Sequence, residues 1–232
     1  MHRVLVRCML EKMHRPHLIR NPRIIGQIWS NSLATTAEES VAEKIPISGG
    51  PHTGKTTLLE ALKVRFPNAY FVPEPATNVI TRELATEQAN LGYVPRVPWT
   101  DYREFGPLVA DESELLEAEI PSAAGVAFQD RSLIDTVAYS RLNRFDEFVP
   151  EVWRRIALAH YSFALICQPV GTYTATTVRR ETEDEALRTH LAIECAYQES
   201  GIEVIDLPEV DIDTRLEIVA KALENRGLNM IV

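Results

Sequence analysis

Cysteine is scarce in this chain of 232 residues: Cys8, Cys167 and Cys195 are three in number and widely separated. That excludes a disulfide framework, and the lack of any Cys-x-x-Cys or His-x-x-x-His pair excludes a clustered zinc site. No apolar run approaches the length of a membrane span, so a soluble protein without a membrane-spanning segment is expected. Positive charge is also short, with 24 Lys and Arg against 33 Asp and Glu, a formal net charge of −9. Beyond residue 40 the deficit deepens, because 18 basic residues face 30 acidic ones there and leave a net −12. A body this acidic is not built to hold nucleic acid, and none is expected as a partner. Internal repeats and low-complexity tracts are likewise missing.

The basic residues that do exist are concentrated at the start. Residues 1–35 hold six Lys and Arg with Glu11 as their sole acid, which is the composition of a mitochondrial or plastid transit peptide and equally of a basic arm. The expectation is a basic extension over residues 1–40 followed by one domain over 44–228. Cytoplasmic residence is expected, and import into mitochondria or plastids is the alternative if residues 1–35 are a transit peptide.

From residue 44 onward, short apolar runs alternate with longer helical patterns, the signature of βαβ units around a parallel sheet. The runs fall at 45–48, 69–72, 125–129, 163–167 and 203–206. Helical periodicity covers 55–66, 77–90, 102–120 with a break at Pro107, 133–143, 151–161, 184–199 and 213–225. Pro46 lacks a ladder donor and is expected among the first residues of its strand. The fold class is therefore α/β, a five-stranded parallel sheet flanked by helices. Residues 92–100 and 168–177 read as loops at functional edges.

The most specific signal is ISGGPHTGKTT, residues 47–57. Gly49, Gly54, Lys55 and Thr56 fit G-x-x-x-x-G-K-[ST], with an apolar run before the turn and a helical pattern after it, the context the motif requires. Glycines let the main chain of Gly49, Gly50, Pro51, His52, Thr53 and Gly54 wrap as an anion nest, and Lys55 reaches the β and γ phosphates. Thr56 offers a hydroxyl to Mg²⁺, and Thr57 opens the helix whose positive end adds to the site. This places the fold among P-loop NTPases, with ATP as substrate and Mg²⁺ as its companion.

What the chain does with the nucleotide is narrowed by two further absences. No Asn-Lys-x-Asp tetrapeptide exists to read guanine, which argues against a pure GTPase. The third apolar run ends GVAFQDRS, so Arg131 follows Asp130 where a motor ATPase would carry the glutamate that polarises water. Asp130 then holds Mg²⁺ with a guanidinium beside it for phosphate or acceptor, or else it caps the following helix. FVPEPA sets Glu74 between two prolines at the carboxyl edge of a strand. There it can accept a hydroxyl proton, hydrogen-bond a sugar or base, or sit as an ordinary turn residue. Arg179 and Arg180 lie in a polar loop before a helix, where a lid over transferring phosphate would carry them or where they pair with Glu181 and Glu183. Arg188 follows on that helix. Trp99, Asp101 and Tyr102 fall where an acceptor pocket would lie.

Together, ISGGPHTGKTTLLEAL, FVPEPA, FQDRSLIDTVAY, RRETEDEALRTH and GIEVIDLP resemble, in order and spacing, the P-loop kinase-like AAA-type domain of ribosylnicotinamide kinases of the NadR type, over about residues 44–226. The Glu-Pro and Asp-Arg-Ser elements also resemble those of deoxyribonucleoside kinases. The resemblance implies Glu74 as base, Asp130 as magnesium ligand, Arg131 on phosphate or acceptor, and Arg179 and Arg180 in the lid. It implies phosphorylation of a small hydroxyl acceptor, a nucleoside or nucleoside-like metabolite. The same family holds nucleotide-binding regulators, so a nucleotide-dependent switch with slow hydrolysis is the alternative.

Overall fold

Five parallel strands, in the order β2-β3-β1-β4-β5, form the sheet of the computed structural model, which describes residues 42–169 and 182–228. In chain order the elements are β1 (Glu43–Ser48), α1 (Lys55–Arg65), β2 (Tyr70–Val72), α2 (Pro75–Ala89), α3 (Tyr102–Ala118) and β3 (Val126–Asp130). Then come α4 (Leu133–Leu142), α5 (Val149–Ala159), β4 (Phe163–Cys167), α6 (Glu183–Ser200), β5 (Glu203–Leu207) and α7 (Ile212–Glu224). Among the described residues no helix is long and apolar enough to cross a membrane.

Strands alternate their side chains between two layers. On one face Ile45, Ile47, Phe128, Phe163 and Leu165 pack with Leu58, Leu59 and Leu62 of α1 and Val219 and Leu223 of α7. On the other, Ala164 and Ile166 pack with Leu133, Ile134 and Val137 of α4, Val152 of α5, and Ile193 and Tyr197 of α6. Both faces of the sheet are covered, which is why its strands read as continuous apolar runs rather than alternating ones. A smaller cluster of Val79, Tyr102 and Phe105 joins α2 to α3.

Two prolines depart from the sequence expectation. Pro46 is the fourth residue of β1, a central strand, not one of its first. The β1–β3 ladder runs from Glu43 to Ile47, whereas β1 meets β4 at Lys44↔Tyr161 and then not until Ile47↔Leu165. The missing N–H thus falls in a gap of the β4 ladder, where no donor is needed. Pro107 does not break α3, which continues through it from Tyr102 to Ala118. Buried Tyr102, Phe105 and Ala110 fasten the helix on both sides of the proline, and a Cβ on Gly106 would lie 2.9 Å from the Tyr102 ring. Tertiary packing outweighs the lost hydrogen bond.

Candidate active site

The loop after β1 sits at the switch point of the sheet, where β1 lies between β3 and β4 and their carboxyl ends open a crevice. Its shape depends on left-handed residues: Gly49 at φ 142°, His52 at 62° and Gly54 at 75°. A Cβ on Gly49 would fall 2.6 Å from the Cys167 carbonyl, so only glycine allows the close approach to β4. Thr53 Oγ1 closes the turn by donating to the Gly50 carbonyl at 3.0 Å. Pro51 is half-buried, and Thr56 and Thr57 are exposed at the start of α1.

Three neighbours brace the loop. The Gly50 amide donates to His190 Nδ1 on α6 at 3.2 Å, which leaves the His190 proton on Nε2, 3.0 Å from Gln168 Oε1. Burial lowers the His190 pKa against the pull of Glu194 and Asp206, so the ring is neutral near pH 7. Arg215 of α7 donates to the Thr53 carbonyl at 2.6 Å. Gln168, which follows β4, joins these braces through Glu194 and Asp206.

Lys55 and Asp130 form a direct ion pair, Nζ to Oδ1 at 2.5 Å. Asp130 is not the cap of α4. Ser132 is, accepting from the Ile134 amide while Asp135 accepts from the Ser132 amide in a capping box. That leaves the Asp130 carboxylate directed to the loop. Thr56 and Asp130 fit a hard cation that keeps most of its waters and arrives with phosphates. Among the described residues no group of three His, Cys, Asp or Glu offers an all-protein cage.

Arg131 is the hub of a second group of contacts. It is a non-glycine residue at φ 70°, and its amide donates to the Ile47 carbonyl at 3.0 Å. Nε donates to Glu74 Oε1 at 2.7 Å and Nη1 to Asp135 Oδ1 at 3.0 Å, while the guanidinium lies 5.4 Å from the Tyr139 ring centre. Burial opposes its charge, but Tyr139, Asp135 and Glu74 overcome that and push its pKa above the ordinary arginine value. Asp135 is buried and accepts four donors: Arg131, the Ser132 amide, Ser48 Oγ and the Tyr197 hydroxyl.

Glu74 stands at the N-terminus of α2, with Pro75 as the first helical residue and no capping bond from its side chain. The carboxylate accepts no main-chain amide of the helix; it turns to Arg131, and Thr77 Oγ1 donates to its Oε2 at 2.6 Å. Burial raises its pKa, and Arg131, Thr77 and Lys55 together bring it below the usual glutamate value. Beside it opens a cavity of about 280 Å³, near the lower end of ligand pockets. Glu74, Arg131 and Asp135 form its polar end, Tyr102, Phe105, Ile80 and Tyr139 its apolar walls, and Thr136 and Asn143 add two neutral polar groups.

The sequence-predicted residues thus separate. Lys55 meets Asp130, and Glu74 meets Arg131, around the loop of residues 49–57. Tyr102 lines the cavity, but Asp101 caps α3 by accepting from the Arg103 amide at 2.8 Å, and Trp99 is 68% exposed and outside the lining. Arg188 bonds back to its own helix at the Asp184 carbonyl. Arg179 and Arg180 lie outside the described residues, as does the basic extension over residues 1–40. Asp135, His190 and Arg215 were not assigned roles from sequence. Asp135 carried a usable signal, Ser132-x-x-Asp135, the capping-box spacing.

The profile of the AAA domain family AAA_28 matches residues 44–215. No curated protein matches the sequence. Among solved structures, NadR protein in complex with NR is similar at 20% identity and a TM-score of 0.60, covering 84% of this chain and 54% of that one. The chain therefore spans about half the length of that protein. Deoxyadenosine kinase from M. mycoides, with dCMP and dCDP bound, is similar at 12% identity and a TM-score of 0.57, covering 79% and 99%. Thymidylate kinase from Candida albicans is similar at 13% and 0.53, covering 81% and 93%. At these identities the likeness shows a common fold. The chain belongs to the AAA domain family, matched over residues 44–215, and shares the fold of these proteins.

Proposed function

We propose that this protein transfers the γ-phosphoryl group of ATP to the hydroxyl of a nucleoside or nucleoside-like metabolite. The observation that carries the reading is the placement of Glu74 and Arg131 at the polar end of a largely apolar cavity, with Asp130, next to Arg131 in the chain, paired to Lys55 of the phosphate loop. Transfer to a small molecule needs a donor site and an acceptor site side by side, and a hydrolytic switch needs no second pocket.

Lys55 is paired with Asp130 and Arg131 with Glu74. In the working complex Lys55 exchanges Asp130 for the β and γ phosphates. Mg²⁺ carried with the nucleotide would be held by Thr56 and Asp130 and would neutralise charge on those phosphates. Arg131 orients the acceptor hydroxyl and transferring group, and Glu74 accepts the hydroxyl proton. Its lowered pKa keeps it ionised, hence able to accept, throughout the neutral range. The Arg179 and Arg180 segment would supply the lid that excludes water.

Among the described residues lining the cavity, Arg131 is the sole cation, and Glu74 and Asp135 already hold it. A nucleoside monophosphate would meet two carboxylates there, so a neutral hydroxyl acceptor is favoured over a nucleotide. The likeness to a deoxyadenosine kinase and to a NadR protein in complex with NR supports this choice of class.

The test is phosphate transfer from γ-labelled ATP with Mg²⁺, offering nucleosides in one pool and nucleoside monophosphates in another. A labelled small molecule from the nucleoside pool, lost in Lys55→Ala, is expected. Label released only as free phosphate, at a slow rate that neither pool changes, would replace the kinase by a nucleotide-dependent switch.

A further inference from the structure

We infer that Arg215 is a positioning residue of the nucleotide site, a buried cation that sets the phosphate loop from behind and adds positive charge to it. The inference rests on the reading of residues 49–57 as the triphosphate cradle.

Arg215 lies in the first turns of α7 and is 2% exposed. Each of its three nitrogens donates to a main-chain carbonyl: Nε to Pro208 at 2.9 Å, Nη1 to Thr53 at 2.6 Å and Nη2 to Gln168 at 3.0 Å. Those carbonyls belong to three separate segments, the loop after β5, the phosphate loop and the end of β4. One rigid fork therefore ties together the three chain segments that meet at the carboxyl edge of the sheet around the P-loop. Only a planar guanidinium offers donors in that arrangement.

The chemistry of its partners is the informative point. Among the described residues no carboxylate pairs with Arg215; its ligands are all neutral carbonyls. A buried cation without a counter-ion is costly, and a structural clamp alone would be better served by a paired one. An anion bound by the same loop would supply negative charge to a loop that this buried cation already touches at Thr53. The opposite brace is a contrast. His190 holds Gly50 by accepting a hydrogen bond from its amide and is neutral, so it contributes geometry, and Arg215 contributes geometry and charge.

Two variants separate those contributions. Arg215→Lys keeps the charge and loses the three-way fork, whereas Arg215→Gln keeps a donor and loses the charge. Titration calorimetry of the full chain with Mg·ATP and Mg·ADP, with melting temperatures of each variant taken alongside, reads the difference. The expected result is that Gln weakens Mg·ATP by roughly tenfold or more and Mg·ADP by less, while Lys recovers at least half of the loss on a logarithmic scale. Equal losses in the Lys and Gln variants would overturn the inference, because geometry alone would then account for Arg215. So would unaltered binding in Arg215→Gln, or a Gln variant that fails to fold, since the residue would then serve the fold and not the nucleotide. Unmodified protein that binds neither nucleotide would instead refute the triphosphate reading on which the inference stands.

Discussion

Replacing Asp135 by Asn changes one oxygen to an amide nitrogen and leaves the shape intact, yet it strikes the most connected carboxylate of the site. Asp135 is 3% exposed. Its Oδ1 receives Arg131 at 3.0 Å and Ser48, and its Oδ2 receives the Ser132 amide at 3.0 Å and Tyr197 at 2.7 Å. An asparagine can satisfy the two donors on one side and must present its own N–H₂ to the other two. The loss is then two hydrogen bonds to a charged acceptor, each about 1.5–3 kcal/mol. Among the described residues the buried guanidinium of Arg131 also keeps only Glu74 as a carboxylate partner, so the total is at least about 3–6 kcal/mol. For a chain of this size that lowers Tm by about 10 °C or more. Urea unfolding followed by circular dichroism measures the free energy, and Tyr197→Phe, which removes one donor and leaves the carboxylate, serves as the reference at about 1 kcal/mol. A loss below about 1 kcal/mol in Asp135→Asn would refute the view that this carboxylate anchors Arg131 and the start of α4.

Other consequences are equally direct. A Cβ on Gly50 would come within 2.7 Å of His190 Cβ and 3.0 Å of its main chain, so Gly50→Ala displaces the loop. Mg·ATP at 100 times Kd should stabilise the unmodified protein by about 2.7 kcal/mol and the variant by far less, as thermal shift will show. Hydrogen bonds from Arg96, with Tyr93, hold Glu83 at about 2 from an ordinary 4.5 against the effect of burial. Its contribution is complete above pH 4.5 and drains as pH falls toward 2. Glu83→Gln should therefore cost about 1–3 kcal/mol at neutral pH and flatten the stability curve across that acid window. Tyr102 walls the cavity, whose lining includes no residue of the phosphate loop; Tyr102→Leu should raise the acceptor KM about tenfold with the affinity for Mg·ATP unchanged.

Much of this could be read from the chain before its structure. Parallel strands buried on both faces leave apolar runs that cannot be mistaken for loops, and the glycine positions of the phosphate loop are dictated by φ values that other residues resist. Glu74, Asp130 and Arg131 were legible because each lies where a strand ends, and a doubly wound sheet brings such ends to one edge. The prolines were misjudged for a tertiary reason: Pro46 depends on a gap in the partner ladder and Pro107 on packing to either side, and neither is visible locally. His190 and Arg215 were illegible as braces of the loop because the main-chain groups they hold there lie 140 and 162 positions away. A backbone amide or carbonyl leaves no signature in the sequence that marks it as a partner. The cavity walls were half legible, since Tyr102, Asp101 and Trp99 stand nearly side by side and yet one lines the cavity, one caps a helix and one faces solvent.

The central claim is that the carboxylate of Glu74 takes the acceptor's proton while Lys55 and the loop hold the nucleotide. Steady-state kinetics of Glu74→Gln with the acceptor found in the labelling experiment test it most directly, with Mg·ATP affinity measured in the same preparation. Removing a general base should lower kcat by about 10²–10⁴-fold while the affinity for Mg·ATP stays within a factor of a few. A variant that turns over at the unmodified rate, or one whose loss lies wholly in nucleotide affinity, would contradict the account.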